Sequence, residues 1–255
     1  MNAAVILELL DLDEPAFALP VGSLDEDEQA RAARFLHPED RRRFTHGRAW
    51  LRLRLSEVLG IEPQAVRFTT VGTRDKPALA SRGHRDRGAF TAEAAMRERH
   101  RPEPLPAFNL SHSDRHGLLA ISPSGLAVGI DIEVVRPFER ATRIAARHFS
   151  ERESAAIEAA PYGRERETRF FRTWTRKEAY LKLTGLGLPG GLASVETGTG
   201  SDARVVLTPP EHGLAVAWIT SLSGPPPLSP RAAADAHAPA LAALAAPEPV
   251  ELRWR

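Results

Sequence analysis

Two acidic clusters in this chain combine residue types that can hold a divalent cation. The first reads Val-Gly-Ile-Asp-Ile-Glu at residues 128–133, and the second reads Trp-Thr-Arg-Lys-Glu-Ala-Tyr-Leu-Lys at residues 174–182. If the first cluster is extended, its branched apolar residues alternate with Gly129, Asp131 and Glu133, so both carboxylates lie on one face of a strand. A metal ion can bridge carboxylates placed in this way.

The second cluster predicts a helix that carries a third carboxylate. Residues 168–184 have helix-forming composition, and a period of about 3.6 residues places Glu178 and Lys182 near one azimuth. Trp174 falls on an adjoining apolar stripe, where we expect it to pack in the core rather than contact a substrate. Oxygen ligands that leave coordination positions free are typical of magnesium sites that also bind substrate phosphates. The pattern therefore predicts phosphate chemistry.

Each cluster alone also fits a purely structural interpretation. Asp-x-Glu at a strand end is typical of a solvated edge. Lys-Glu-x-x-x-Lys on a helix is typical of surface ion pairs worth about 0.2–0.5 kcal/mol each. The two clusters together, with the upstream residues described below, favour the metal site.

Composition narrows the class of protein. The chain has 255 residues, which fits one or two domains with a real core. It is 42% hydrophobic and 26% charged, with a formal net charge of +1, so no nucleic-acid partner is expected. Arginines nevertheless crowd residues 31–54 and 82–101, where local positive charge can bind phosphates.

The chain contains no cysteine, which excludes disulfides, thiolate zinc sites and a catalytic thiol. Its first residues lack the basic start of a signal peptide. No stretch approaches the roughly 18–20 apolar residues that a membrane-spanning helix needs. We therefore expect a cytoplasmic protein with no membrane partner.

The hydrophobic pattern predicts an α+β fold. Strands are expected at 3–12, 66–71, 117–122, 126–133, 203–207, 214–220 and 250–254. Helices are expected at 24–35, 39–59, 139–148, 151–159 and 168–184. Ser23 is expected to begin the first helix and Gly60 to end the second, and Ser150 with Glu153 predicts a capping box.

The elements fall into two similar series, although the sequence shows no tight internal repeat. We expect an N-terminal half at 1–124, a C-terminal half at 125–223 and a Pro- and Ala-rich tail at 224–255. The polar segment at 81–106 is interpreted as an exposed arginine-rich insertion with one helix at 92–99. A pseudo-duplicated α+β structure of this kind suits a site between its halves.

Five motifs occur in the order of a known family. They are Arg-Arg-Arg-Phe-Thr-His-Gly-Arg at 41–48, Lys-Pro at 76–77, Phe-Asn-Leu-Ser-His-Ser at 108–113 and the two acidic clusters. On these motifs, residues 24–191 resemble a 4′-phosphopantetheinyl transferase of the surfactin-synthetase-activating type. The resemblance implies two pseudo-symmetric α/β halves in one chain, with the active site at their interface, and a monomer.

The resemblance also implies a reaction. Coenzyme A would donate its 4′-phosphopantetheine arm to a serine hydroxyl of an acyl or peptidyl carrier protein and release adenosine 3′,5′-bisphosphate. The carrier would serve fatty-acid, polyketide or nonribosomal-peptide synthesis. Asp131, Glu133 and Glu178 would hold Mg²⁺, or Mn²⁺ in its place. Glu178 would accept the serine proton directly or through a metal-bound water, and Lys182 would neutralise or protonate the departing bisphosphate.

Binding of coenzyme A is assigned by the same resemblance to basic and hydroxyl side chains. They are Arg48, Lys76, Ser111 and His112, with Arg43 and Arg41 as weaker candidates because an interfacial arginine can equally brace a helix. Lys177 is expected either to reach a phosphate or to be simply solvated. Ser111, His112 and Lys76 would bind the pyrophosphate and adenylate end. Arg48 would contact the 3′-phosphate, because a planar guanidinium suits phosphate oxygens. One departure concerns Asp75, which stands where the family has glycine before Lys-Pro and brings a negative charge towards that site.

Two rival functions stay open at this point. A non-catalytic coenzyme A or carrier-binding homologue would be expected to lose a metal carboxylate or the lysine at position 182, and this chain keeps both. A magnesium-dependent phosphohydrolase would explain the acids but not Ser-His-Ser or the order of the motifs. The basic insertion at 82–101 is expected to steer an acidic carrier protein.

Overall fold

The computed structural model describes residues 5–15, 17–71, 76–80, 104–184, 192–194, 197, 214–220 and 250–254. The first series of elements comprises β1 (Val5–Asp11), α1 (Glu26–Ala33), α2 (Pro38–Leu59), β2 (Phe68–Val71), β3 (Lys76–Leu79), β4 (Ala107–Ser113) and β5 (His116–Ser122). The second comprises β6 (Val128–Val134), α3 (Ala141–His148), α4 (Glu151–Glu158), α5 (Arg164–Thr184), β7 (Leu214–Thr220) and β8 (Val250–Trp254). None of the described helices is long and apolar enough to cross a membrane.

The first series is organised around a four-stranded sheet with the order β4-β5-β1-β8. β5 runs antiparallel to both of its neighbours, and β8 lies parallel to β1. α2 covers one face of this sheet through Trp50, Leu51 and Leu55, which are buried with Leu10 and Leu119. β2 and β3 form a separate antiparallel pair.

β6 joins the two series through its apolar side chains. It pairs with β7 in an antiparallel ladder, and its Val128, Ile130 and Ile132 pack against Leu7 of β1 and Leu118 of β5. The predicted alternation in the first acidic cluster is therefore confirmed, since the branched residues are buried on one face. The opposite face, with both carboxylates, is left for α5.

The predicted mixed α and β content is confirmed, with differences that have physical causes. β4 was not predicted as a strand, because its Asn, Ser and His side chains have weak strand preference; pairing with β5 stabilises it. α5 begins at Arg164, before the predicted start at 168, because Glu165 and Glu167 suit the positive end of a helix dipole. The expected strand at 203–207 and helix at 92–99 lie outside the described residues.

Capping side chains set where α1 and α4 begin. Asp25, not Ser23, caps α1: it accepts a hydrogen bond from the Glu28 amide at 2.9 Å, and the Glu28 carboxylate accepts one from the Asp25 amide at 3.1 Å. The predicted capping box of Ser150 and Glu153 at α4 is confirmed. So is the predicted end of α2 at Gly60, which has a φ of 65°.

Gly129 allows α5 to approach β6 closely. A Cβ at this position would lie 2.1 Å from the Ala179 carbonyl oxygen and 2.6 Å from the Leu183 amide nitrogen, both in the helix backbone. Helix backbone cannot move aside as a flexible side chain can. The absence of a side chain at Gly129 therefore determines how near the carboxylates of β6 come to α5.

We expect Gly129→Ala to destabilise the protein by about 3 kcal/mol or more, since the added methyl group overpacks against helix backbone. The free energy of unfolding from urea titration measures this. Gly22→Ala is the matched control, because a Cβ there meets no atom within 4 Å. A Gly129→Ala protein as stable as Gly22→Ala would contradict the close approach.

Candidate active site

Two serines of β4 hold the two carboxylates of β6. The Ser111 hydroxyl donates to Asp131 Oδ1 at 2.8 Å, and the Ser113 hydroxyl donates to Glu133 Oε2 at 2.7 Å. The Ser113 oxygen also accepts from the Val134 amide at 3.1 Å. From the first serine–carboxylate pair to the second, the residue number rises by two in both strands, so β4 and β6 run in the same direction here. Each hydroxyl orients one carboxylate.

Lys182 reaches this cluster from α5. Its Nζ lies 2.6 Å from Asp131 Oδ1 and 2.9 Å from Ser111 Oγ. Glu178 lies one helical turn before it on the same helix. Glu178 and Lys182 were predicted to lie near one azimuth of this helix. The charges of Asp131 and Lys182 both act on the pKa of Glu178, which agrees with both side chains lying on the side of α5 that faces Asp131. A carboxylate of β6, a carboxylate of α5 and an ammonium group thus meet between two elements.

Burial dominates the electrostatics of the two facing carboxyl groups. It raises the pKa of Asp131, although the Lys182 ammonium and the hydrogen bonds from Lys182 and Ser111 oppose this. Burial, and then the charge of Asp131, raise the pKa of Glu178. Asp131 Oδ2 and Glu178 Oε1 are buried and have no hydrogen-bond partner within the described part of the chain. Two electron-rich oxygens are therefore held out of water with spare bonding capacity.

These two oxygens fit a hard divalent cation. Within the described ranges, however, no three His, Cys, Asp or Glu side chains are grouped closely enough to hold a metal by themselves. Glu133 is turned to Ser113 and to Arg136, whose Nη1 lies 3.3 Å from its Oε2. Magnesium commonly takes one or two protein carboxylates and completes its shell with waters and substrate phosphates. The residues present suit that form of site, not a cage of three carboxylates.

His112 lies between these carboxylates and the start of α2. Burial, and then the Lys182 charge, lower the pKa of His112. Asp40, Arg43 and Glu133 also act on it electrostatically, which brings α2, β4 and β6 to one location. A largely neutral imidazole there can donate or accept a hydrogen bond at pH 7.

Arg43 is held by two carboxylates beside His112. Its Nε and Nη2 donate to the two oxygens of Asp13 at 2.9 and 2.8 Å, and its Nη1 lies 2.7 Å from Asp114. The Arg43 guanidinium keeps the pKa of Asp13 far below its usual range. The cation is thus fixed in place near the imidazole.

Arg48 and Lys76 were also predicted to bind coenzyme A. Arg48 donates from Nε to Glu28 Oε1 at 2.6 Å and lies over the Phe68 ring, 4.5 Å from its centroid. Lys76 is in β3, opposite Val71, and its side chain lies outside the described structure. Trp174 packs against the buried cluster of Phe149 and Phe170, as expected.

Lys177 does not face the site. Its side chain is fully buried, and its Nζ lies 2.7 Å from Glu153 and 2.6 Å from the Leu192 carbonyl oxygen. The prediction that Lys177 contacts a phosphate has no support in this position, because an ammonium group enclosed by protein cannot meet a ligand at the surface. Lys177 instead holds α5 against α4, on the side of α5 that faces away from the site.

Ser113 is the residue that the sequence interpretation undervalued. It appeared only as a flanking residue of the Ser-His-Ser motif, yet it holds Glu133. The signal was available: serines two apart in one extended segment match carboxylates two apart in another, and both patterns have the period of a strand.

Comparisons with known proteins agree with one family. A sequence model described as the 4′-phosphopantetheinyl transferase superfamily matches residues 127–238. The chain is 38% identical over 213 residues to the 4′-phosphopantetheinyl transferase HetI of a Nostoc species, covering 83% of this chain and 77% of HetI. It is 32% identical over 186 residues to the 4′-phosphopantetheinyl transferase psf-1 of Bacillus pumilus, covering 73% and 68%. A human L-aminoadipate-semialdehyde dehydrogenase-phosphopantetheinyl transferase is 27% identical over 183 residues, covering 70% and 53%.

We expect Glu178→Gln to raise the melting temperature of the metal-free protein at pH 7 by about 2–4 °C, as ~1 kcal/mol does in a chain of this size. The amide removes a charge that burial disfavours. Because burial raises the pKa of Glu178 in the folded state, the folded wild type takes up a proton at this carboxyl group as pH falls towards about 4. The difference in melting temperature between Glu178→Gln and the wild type should therefore shrink.

Calorimetry in EDTA between pH 4 and 7 measures this change. Glu139→Gln is the control, because Glu139 is an exposed carboxylate outside the cluster. A lower melting temperature for Glu178→Gln at pH 7 would contradict the buried, unpartnered state of Glu178 Oε1.

Proposed function

The chain belongs to the 4′-phosphopantetheinyl transferase family, and on that premise we propose a role for each side chain between β4, β6 and α5. Like its relatives, it is a transferase that moves the 4′-phosphopantetheine group of coenzyme A to a carrier protein. The products are the holo carrier protein and adenosine 3′,5′-bisphosphate. The observation that supports the residue roles is the meeting of Asp131, Glu178 and Lys182 in one partly buried cluster.

Asp131 and Glu178 are proposed to hold Mg²⁺, and Glu133 would join them as a further ligand on turning away from Ser113 and Arg136. Their unpartnered oxygens, Asp131 Oδ2 and Glu178 Oε1, support the first two assignments. When bound, the cation would neutralise negative charge on the pyrophosphate of the donor. Mn²⁺ has similar ligand preferences and is the expected substitute.

His112 and Arg43 are proposed to bind the phosphates of the donor, and Ser111 and Lys76 to support them. The proximity of the imidazole to Arg43 and to Lys182 supports this assignment. Arg48 remains a proposed contact of the 3′-phosphate, although it already pairs with Glu28. These groups place the pyrophosphate of coenzyme A beside Glu178 and Lys182.

Transfer then requires one proton to leave the carrier serine and a phosphoester bond to that serine to replace the phosphoanhydride bond of coenzyme A. Glu178 accepts the proton of the serine hydroxyl while the oxygen forms a bond to the phosphorus that carries pantetheine. The bond from that phosphorus to the bridging pyrophosphate oxygen breaks. Lys182 neutralises the charge that develops on this oxygen as adenosine 3′,5′-bisphosphate departs. The raised pKa of Glu178 brings it closer to that of an effective base at neutral pH.

We also propose that the chain consists of two pseudo-symmetric halves, at 1–124 and 125–223, with the tail at 224–255. In each half a short helix opens with a capping box, and the glutamate of that box receives a cation from the long helix that follows. The two segments align without a gap, which pairs Asp25 with Ser150, Glu28 with Glu153, Arg52 with Lys177, and Gly60 with Gly185. Because one chain supplies both halves, we propose a monomer that acts in the cytoplasm, where coenzyme A and carrier proteins meet.

The reaction is tested by the intact mass of a recombinant apo carrier protein after incubation with this protein, coenzyme A and Mg²⁺. We expect a gain equal to one phosphopantetheine group with the wild type. Glu178→Ala should slow the gain by about 10²–10⁴-fold, as loss of a general base does. Glu139→Ala, which changes an exposed carboxylate, should not.

Two results would contradict the assignment. Full activity of Glu178→Ala would remove Glu178 from the reaction. No mass gain across acyl and peptidyl carrier proteins, despite measurable coenzyme A binding, would favour a non-catalytic homologue. Phosphate release from a simple phosphate ester without carrier protein would favour a phosphohydrolase.

The contact of His112 with the donor is tested by His112→Ala with coenzyme A and with 3′-dephospho-coenzyme A. Loss of one hydrogen bond should raise the KM for coenzyme A by about 10-fold. If the rise occurs with coenzyme A alone, His112 contacts the 3′-phosphate. If both donors show it, His112 contacts the pyrophosphate; no rise with either would contradict the assignment.

A further inference from the structure

Glu153 is a fully buried carboxylate at which three parts of the C-terminal half meet. Its Oε2 accepts from the Ser150 amide at 3.0 Å and lies 2.7 Å from Lys177 Nζ. Its Oε1 accepts from the amide and the hydroxyl of Thr197 at 2.8 and 3.0 Å. Lys177 also donates to the Leu192 carbonyl at 2.6 Å. We call Ser150, Glu153, Lys177, Leu192 and Thr197 the Glu153 cluster.

The Glu153 cluster connects α4, α5 and the residues that follow α5. Lys177 and Glu153 have no solvent-exposed side-chain surface, and the Lys177 ammonium lies 5.2 Å from the centroid of the Phe149 ring. A buried ion pair adds little net stability, because desolvation offsets attraction. It does specify geometry, since neither charge can move away without becoming unpaired in the interior.

Lys177 is adjacent in sequence to Glu178 and lies on the other side of α5 from the site. Successive helix positions differ by roughly 100° in azimuth, so anchoring one residue fixes the direction in which its neighbours point. Lys177 is held against α4 while Lys182 is held against β6. The rotation of α5 about its own axis is thus determined from two sides.

α2 has a matching arrangement in the other half. Arg52, also fully buried, donates to Glu28 Oε2 at 2.7 Å, to Asp25 Oδ2 at 2.6 Å and to the carbonyl oxygens of Pro63 and Val66 at 3.2 and 2.9 Å. This cluster braces α2 against α1 and does not touch α5. It offers an internal control of equal burial and similar chemistry.

We propose that the Glu153 cluster is a positioning device for the transfer reaction: it fixes the rotation of α5, and thereby the placement of Glu178 and Lys182. The inference rests on the proposed function of those two side chains. The cluster touches neither His112 nor Arg43, which are assigned to the donor. Its disruption should therefore lower kcat and leave the KM for coenzyme A nearly unchanged.

The size of the effect follows from geometry. A displacement of about 1 Å at a reacting group can cost on the order of 10²-fold in rate. The double variant Lys177→Met/Glu153→Gln removes both charges together, so that neither is left unpaired. Its Gln carbonyl can still accept from Thr197. Thr197→Val is a milder variant that removes one hydrogen bond and keeps the ion pair.

The experiment measures kcat, KM for coenzyme A and melting temperature for the wild type, both variants and Arg52→Lys, well below the lowest melting temperature. We expect the double variant to lose about 10–100-fold in kcat with KM within about threefold of the wild type. Thr197→Val should lose about two- to fivefold in kcat. Arg52→Lys should lower the melting temperature and keep kcat within about twofold.

Two results would overturn the proposal. One is a folded double variant, or Thr197→Val if the double variant does not fold, with kcat within experimental error of the wild type. The other is an equal loss of kcat in Arg52→Lys, which would show that loss of stability alone lowers the rate.

Amide hydrogen exchange gives a reading that does not depend on activity. Amides of α5 near Glu178 should exchange faster in the double variant, whereas the Thr197 amide, which keeps a carbonyl acceptor at position 153, serves as the reference. Unchanged exchange near Glu178 would overturn the proposal. An inactive wild type would instead contradict the proposed function, and the exchange measurement would still decide whether the cluster holds α5.

Discussion

The close approach of α5 to β6 is the constraint on which the rest of the site depends. Only at Gly129, where no side chain intervenes, can helix backbone come so near the strand. Two residues further along the strand, Asp131 then meets Lys182 at 2.6 Å. A strand and a helix far apart in sequence can place charged groups at such distances only if the packing between them is tight and rigid.

The same packing lowers the stability of the fold and, by burying carboxylate oxygens, makes the chemistry of the site possible. Asp131 is buried and Glu178 is partly buried, and burial raises the pKa of each. Unpartnered carboxylate oxygens in an interior destabilise a fold, but they are what a hard cation and a transferable proton require. Lys182 and Ser111 both donate to Oδ1 of Asp131 and leave its Oδ2 without a partner in the described part of the chain.

The helix pairs α1–α2 and α4–α5 share one arrangement of buried charges. In both, a buried cation on the long helix meets the capping-box glutamate of the preceding short helix. At the positions that correspond to Glu178 and Lys182 of α5, α2 has Leu53 and Glu57. The shared arrangement is not evident as a tight repeat in the sequence because few residue types coincide; arginine replaces lysine, and aspartate replaces serine as a cap. Hydrogen-bond geometry, not sequence identity, relates the two helix pairs.

The sequence by itself determined the mixed α and β content, the alternation that buries Ile130 and exposes Asp131 to α5, and the family, because these depend on local periodicity and short motifs. It did not determine the partners of basic side chains. Lys177 and Lys182 lie on one helix, yet one is enclosed against Glu153 and the other faces Asp131. Only the tertiary structure decided between them, because the direction of a helical side chain becomes meaningful when the surrounding elements are packed.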